Sequence, residues 1–195
     1  MLNEILLLRE KAKLDGEPIL RDKSYQTLLD IVKEKKPKKI LEIGVNVGLT
    51  GISMLLVSKT SKLTGIEIDE EKIEIALKNY RKFEVDDRAK IFKGDAGDII
   101  PLLTGEYDFI FLDGPKGHYH EYALNLLPLL KVGGILFADN VLFRGYVNGK
   151  VKTPHRYNTT KNSMERFLNL INGSENLKSQ VIDIEDGISI TEKIK

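Results

Sequence analysis

From about Lys38 onward the chain alternates short apolar runs with longer amphipathic stretches, and this rhythm limits the possible folds more than any other feature. Short apolar runs bounded by Gly, Asp or Lys read as buried strands, and the stretches between them read as helices. The expected strands are Lys39–Ile43, Leu63–Ile68, Ala89–Lys93, Tyr107–Leu112 and Gly134–Ala138. The expected helices between them are Leu49–Ser58, Glu70–Phe83, Asp98–Leu103 and Tyr119–Leu130, with Asp69 as N-cap of the second. A β-α-β series of this kind builds a parallel sheet. Upstream, Lys23–Lys35 places Leu28, Leu29, Ile31 and Val32 on one helical face closed by Pro37, and is expected to cover the sheet. Met1–Leu14 mixes Leu2, Ile5, Leu6 and Leu8 with Glu4, Arg9, Glu10, Lys11 and Lys13. It is too polar and short for a membrane span, lacks a cleavage pattern, and reads as an amphipathic helix.

The carboxyl end breaks the rhythm. After a helix expected at Lys161–Ile171, Gln180–Ile184 and Ile188–Thr191 alternate apolar and polar residues around Asp186-Gly187, which predicts a β-hairpin. The fold expected is therefore α/β: a Rossmann-like, doubly wound, mostly parallel seven-stranded sheet with a C-terminal antiparallel hairpin and helices on both faces. A length of 195 residues fits one domain. Its expected parts are a helical cover (1–37), a cofactor and metal core (38–140) and a substrate-side loop, helix and hairpin (141–195).

There is no cysteine, which excludes a disulfide scaffold, a thiolate zinc site and a thiol nucleophile, and points to a reducing cytoplasm. The net charge of +1 gives no bulk signal for nucleic acid or membrane, so any basic surface has to come from local clustering.

The first strand ends in Glu42-Ile43-Gly44-Val45-Asn46-Val47-Gly48-Leu49-Thr50, a glycine-bearing turn of the type that lets a ligand approach backbone closely. A pyrophosphate site calls for G-x-G-x-x-G, whereas Gly44 and Gly48 are spaced G-x-x-x-G. Glu42 also opposes a phosphate and favours a ligand carrying an ammonium or sulfonium, and S-adenosylmethionine carries both. Glu67, closing the second strand, is a carboxylate placed for a ribose diol. Asp95 can accept from an adenine amino group while Ala96 leaves room for the ring. Each of these residues alone is ordinary for an α/β loop. Three strand ends together define a nucleoside pocket.

The fourth strand ends at Leu112-Asp113-Gly114-Pro115-Lys116-Gly117-His118-Tyr119 and the fifth at Ala138-Asp139-Asn140-Val141. Oxygens of Asp113, Asp139 and Asn140 on neighbouring strand ends suit a hard cation, Mg²⁺ first, with Mn²⁺ or Ca²⁺ as alternatives. Asp139-Asn140 is also the composition of an ordinary turn. His118 and His120 are read as surface residues.

On these residues the chain resembles the metal-dependent O-methyltransferase family that includes the catechol and caffeoyl-CoA enzymes. The resemblance runs from Pro18 to the final hairpin and is most specific in Leu-Asp-x-x-Lys-x-x-Tyr (Leu112, Asp113, Lys116, Tyr119) and in Ala138-Asp139-Asn140-Val141. It implies that Asp113, Asp139 and Asn140 hold the metal and that Lys116 is the base or oxyanion stabiliser at the acceptor hydroxyl. It further implies that Leu20, Glu42, Gly44, Thr50, Glu67, Asp95, Ala96 and Asp113 face S-adenosylmethionine, and that the protein is a homodimer. The run Asp139–Gly145, with Pro154-His155-Arg156 and Glu17-Pro18-Ile19-Leu20, is similar to the bacterial branch that methylates 5-hydroxyuridine at the tRNA wobble position. In that branch the stretch matching Glu17–Leu20 lies over the cofactor. The branch usually carries Gly-Thr-Ala-x-Gly-Tyr-Ser in its first loop, and Val45, Asn46, Leu49 and Thr50 depart from it.

Arg144, Lys150, Lys152, Arg156, Lys161 and Arg166 cluster after the fifth strand, with Glu165 the one acid among them, consistent with a phosphate-facing rim or with a merely solvated face. The leading expectation is tRNA methylation, with a small catechol or phenol as the alternative acceptor. A nucleotide-dependent oxidoreductase is disfavoured by the glycine spacing, and a non-catalytic RNA-binding module by the intact metal and lysine positions.

Overall fold

In a computed structural model, which describes residues 2–195, the short apolar runs are strands and the stretches between them helices. The chain forms two compact units dividing after Asp95, a point inside the 38–140 stretch read above as one core. The first contains α1 (Leu2–Leu14), α2 (Asp22–Lys35), β1 (Lys39–Ile43), α3 (Leu49–Val57), β2 (Lys62–Glu67), α4 (Glu70–Lys82) and β3 (Ala89–Lys93). The second contains α5 (Ala96–Ile99), β4 (Tyr107–Leu112), α6 (Tyr119–Leu129), β5 (Leu130–Asp139), α7 (Asn158–Gly173), β6 (Leu177–Ile182) and β7 (Ile188–Lys193). The strands make one seven-stranded sheet in the order β3-β2-β1-β4-β5-β7-β6. β1, β2 and β3 pair in parallel, as do β4 and β5, while β7 runs antiparallel to both β5 and β6. This is the α/β, mostly parallel sheet ended by an antiparallel hairpin that the apolar rhythm predicts. Among the described residues no helix is long and apolar enough to cross a membrane.

Local chemistry explains the boundaries. Asp69 caps α4 as expected, its carboxylate accepting from the backbone N–H groups of Glu71 (2.9 Å) and Lys72 (3.2 Å). α2 ends before Pro37 acts: Lys36 turns left-handed (φ 47°), with its N–H on the Val32 carbonyl. Pro37 instead offers its carbonyl to the Ser61 hydroxyl.

β5 starts at Leu130 rather than Gly134, because Leu130 already pairs with Tyr107 and a register break then carries the ladder on to Phe109 and Ile135. The helix expected at Asp98–Leu103 begins earlier, at Ala96, and tightens into a 3₁₀ turn at Ile100–Leu102 around Pro101. In the hairpin β7 runs two residues past its expected end, whereas β6 lies at Leu177–Ile182 rather than Gln180–Ile184. The Lys193 ammonium ties the end of β7 to the carbonyls of Leu127 and Leu130.

β1 buries every residue but Lys39, and Tyr80, Phe83, Leu28 and Ile52 are buried with it in the first unit. In the second unit Phe111 meets Phe137 edge to face at 5.9 Å, and Tyr119 meets Phe167 at 5.6 Å. Gly65 in β2 is present for space: a Cβ there would collide with the Val45 side chain at the start of the glycine turn. Gly65→Ala is therefore expected to cost about 1–3 kcal/mol by overpacking, read as a lower denaturation midpoint with an unchanged m-value.

Candidate active site

In the first unit the chemistry-bearing residues gather where β1 and β2 end. Gly44 (φ 87°), Asn46 (φ 48°) and Gly48 (φ 83°) turn the chain through left-handed conformations between β1 and α3. The N–H groups of Gly44 and Val45 both reach the Ile66 carbonyl, at 3.0 and 3.3 Å, which anchors the loop on β2. A side chain at Gly48 would meet Tyr80 at 2.8 Å, so glycine here allows α4 to approach. Thr50 lies half-buried in the first turn of α3.

Glu67 is clamped. Its Oε2 accepts from the Asn46 N–H at 2.7 Å, and its Oε1 from the N–H groups of Ile68 and Asp69 at 2.9 and 3.0 Å. Oε1 is fully engaged and Oε2 has one lone pair left, so the group is held in one orientation and can still receive a ligand hydroxyl at Oε2. The Gly94 N–H bonds the Glu67 carbonyl at 2.9 Å, which brings exposed Asp95 beside it at the strand edge. Ala96, buried, opens α5 in the second unit.

Two more of the residues expected to face the cofactor are buried. Glu42 is fully buried, and its carboxylate faces Gly51 and Tyr80: a Cβ on Gly51 would stand 2.6 Å from Glu42 Oε2 and 3.0 Å from the Tyr80 hydroxyl. Burial, then the Glu42 charge, holds the Tyr80 phenol well above its ordinary range. Leu20 is likewise buried, at 2 % exposure, and its carbonyl accepts from Arg9 Nη2 at 2.6 Å.

In the second unit the ends of β4 and β5 bring together Asp113, Lys116 and Asp139. Lys116 Nζ lies 2.9 Å from Asp113 Oδ1, and both side chains are about a quarter exposed. Asp139 is only 3 % exposed, and its carboxyl is pushed up to about 7, first by burial and then by the Asp113 charge; the Asn140 N–H and Lys116 oppose the shift. Asn140 takes a left-handed φ of 56° at the turn out of β5.

Two carboxylates in one partly dry place, with an asparagine next in the chain, offer oxygen donors of the kind a hard divalent cation takes. Among the described residues no group of three or more His, Asp or Glu converges as a metal site; the candidate set has two carboxylates and an amide. The donor chemistry thus fits the ion expected from Asp113, Asp139 and Asn140.

Tyr119 holds these strand ends together. Its hydroxyl lies 3.1 Å from both the Leu112 and Asp139 carbonyls, the residues immediately before Asp113 and at the β5 terminus. Sequence reasoning found Tyr119 only as a motif position. Tyr119→Phe removes the one O–H proton that the two buried carbonyls share, and is expected to cost about 1–3 kcal/mol in denaturant. Mn²⁺ affinity, measured by titration, is expected to weaken about tenfold.

Asp186 is a residue that sequence reasoning missed, having read it only as half of a turn. Its Oδ1 accepts from the Arg144 N–H at 2.5 Å, its carbonyl from the Leu142 N–H, and its charge adds to the upward push on Asp139. Beyond β5, Phe143, Tyr146 and Tyr157 form an aromatic cluster. Phe143 stands edge-on to both tyrosines at 5.4 and 5.6 Å, and the two tyrosine rings stack at 5.6 Å. Arg144 and Arg156 lie over the Tyr157 ring at 5.5 and 4.8 Å. Of the six cations expected to form a rim, Lys150 is paired with Asp183 (2.5 Å) and Lys161 with Glu165 (3.0 Å). The acid at 183, distant in sequence, was not anticipated.

Comparison with known proteins places the chain among O-methyltransferases. A curated caffeoyl-CoA O-methyltransferase of Stellaria longipes is 34% identical over 129 residues, 63% of this chain and 54% of that enzyme, so the matched stretch spans about half its length. A Staphylococcus aureus crystal structure described provisionally as a caffeoyl-CoA O-methyltransferase superposes with a TM-score of 0.87 at 26% identity, covering 97% of this chain and 91% of that one. The O-methyltransferase TomG of Streptomyces achromogenes, solved in complex with SAM, has the same fold (TM-score 0.86, 21% identity, 98% and 89% covered). The O-methyltransferase family profile matches residues 7–194, and the chain belongs to that family.

Proposed function

We propose that this chain is an S-adenosylmethionine- and Mg²⁺-dependent O-methyltransferase that converts 5-hydroxyuridine at the tRNA wobble position to 5-methoxyuridine. The observation that carries the acceptor is the Phe143–Tyr146–Tyr157 cluster flanked by Arg144 and Arg156, since a flat base next to phosphates calls for ring faces beside guanidinium groups. For the donor, the clamped Glu67 carboxylate suits a ribose diol and Asp95 an adenine amino group.

The transfer breaks a carbon–sulfur bond of the sulfonium and forms a carbon–oxygen bond, and the acceptor hydroxyl loses its proton. A cation held by Asp113, Asp139 and Asn140 would lower that hydroxyl's pKa when bound. Lys116 accepts the proton if neutral or stabilises the oxyanion as an ammonium, and its 2.9 Å contact with Asp113 keeps it at the β4 terminus. Homodimerisation, a further expectation, is tested by sedimentation.

A small phenolic acceptor is the second reading. It is favoured by the caffeoyl-CoA relative and by the acid partners of Lys150 and Lys161, which reduce the charge available to phosphates. The test is methyl transfer from labelled S-adenosylmethionine, with Mg²⁺ and with chelator, onto hydroxyuridine-containing tRNA and onto a catechol in parallel. Metal-dependent labelling of the tRNA alone supports the first reading. Labelling of the catechol alone replaces it with the second.

A further inference from the structure

We propose that Asn46 is a positioning residue for the donor. It latches the segment Glu17–Leu20 to the glycine turn and, from the same residue, holds the Glu67 carboxylate. The proposal rests on the reading of that turn as the donor's binding place.

The segment between α1 and α2 has no regular structure, yet side chains from three other elements fasten it. The Lys72 ammonium of α4 holds both Glu17 carboxylate oxygens, at 2.6 and 2.8 Å. Arg9 of α1, with its guanidinium 3.5 Å over the Tyr25 ring, holds the Leu20 carbonyl at 2.6 Å. Between these two anchors the Pro18 carbonyl accepts from Asn46 Nδ2 at 2.9 Å. A carbonyl can only accept, so the amide nitrogen rather than the amide oxygen must face Pro18.

Asn46 is the anchor that reaches the glycine turn, and its conformation explains why asparagine suits the position. At φ 48° it is left-handed, a conformation Asn tolerates better than most side chains. That backbone turn aims its own N–H at Glu67 Oε2, 2.7 Å away. One residue therefore couples the strap, the turn and the carboxylate expected to take the ribose. A preorganised arrangement costs less ordering when ligand binds, so its loss should appear as weaker donor affinity.

Two variants separate latch from backbone. Asn46→Gly keeps the left-handed turn and the N–H to Glu67 but removes the amide. Asn46→Asp keeps the shape and replaces the donor with an acceptor facing the Pro18 carbonyl. Hydrogen–deuterium exchange over residues 15–21 of the ligand-free protein, calorimetric titration with S-adenosylhomocysteine and steady-state kinetics are measured for each.

Both variants are expected to exchange faster over 15–21 at an unchanged Tm. S-adenosylhomocysteine should bind about fivefold more weakly, with the loss in the donor KM rather than in kcat. Wild-type affinity in both variants overturns the proposal, whether or not exchange changes. A wild-type protein that binds no S-adenosylhomocysteine overturns the donor reading itself, an outcome distinct from failure of the latch.

Discussion

Asp139→Asn is expected to reduce metal-dependent methyl transfer by about a thousandfold and to remove a pH dependence of stability that the unsubstituted protein shows in chelator. The first effect follows from the loss of one of two carboxylates among the proposed donors. The second follows from burial. The Asp139 carboxyl is raised from an ordinary 3.8 to about 7 because it is buried next to Asp113. Between those pH values the folded protein holds a proton that the unfolded chain has released, so stability falls as pH rises through that window. The full contribution is present below about pH 4 and gone above about pH 7, with a ceiling of about 4 kcal/mol.

Thermal unfolding in EDTA from pH 4 to 8 should therefore show wild type losing ground to Asp139→Asn as the buffer becomes alkaline. Mg²⁺ should restore wild type and do little for the variant. A difference between the two proteins that stays constant across pH would show that Asp139 does not titrate as its surroundings imply.

Lys116→Ala is expected to lower kcat by about 10²–10³ while leaving S-adenosylhomocysteine affinity within about twofold. The direction for metal is opposite to that of Asp139→Asn. Lys116 places a positive charge 2.9 Å from Asp113, so its removal should tighten Mn²⁺ binding, or at least not weaken it. Lys116→Arg divides the two chemical roles. A guanidinium keeps the charge but does not accept a proton near neutral pH, so an inactive Lys116→Arg marks a base and a partly active one marks an oxyanion stabiliser. Turnover of Lys116→Ala equal to wild type would remove the residue from the reaction.

The strands that build the sheet were legible because each is a short apolar run with a hard stop. Lys39–Ile43, Ala89–Lys93 and Tyr107–Leu112 begin and end where the sequence changes character. Less legible was β5, whose first residues, Leu130–Gly133, alternate poorly and depend on a register break against β4 that no local pattern encodes. In the candidate site, Asp113 and Asp139 were legible as acids at strand ends and Lys116 through the resemblance of its motif. The partners that set their properties come from farther away. Asp186 lies in a hairpin turn whose composition reports only the turn, and Tyr119, though near in sequence, shows its bond to the Asp139 carbonyl only in the fold. Glu42 was legible as a carboxylate beside a glycine turn, while its neighbours Tyr80 and Gly51 come from elements that no local pattern joins to it. The pairing of Lys150 with Asp183 was hidden in the same way.

The hairpin turn that braces the loop after β5 also imposes an order of events. Val141 and Leu142 donate their N–H groups to the carbonyls of Gly187 and Asp186, and the Arg144 N–H reaches an Asp186 side chain 42 residues downstream. β7 in turn sits between β5 and β6, so β5 gains its second neighbour only when the chain returns. During synthesis, the loop carrying Asn140, Phe143 and Arg144 therefore emerges well before the segment that fixes its shape. The loop after β5 is completed last, and a ribosome stalled shortly before Asp186 would hold a chain whose first unit is fully made and whose loop has no brace.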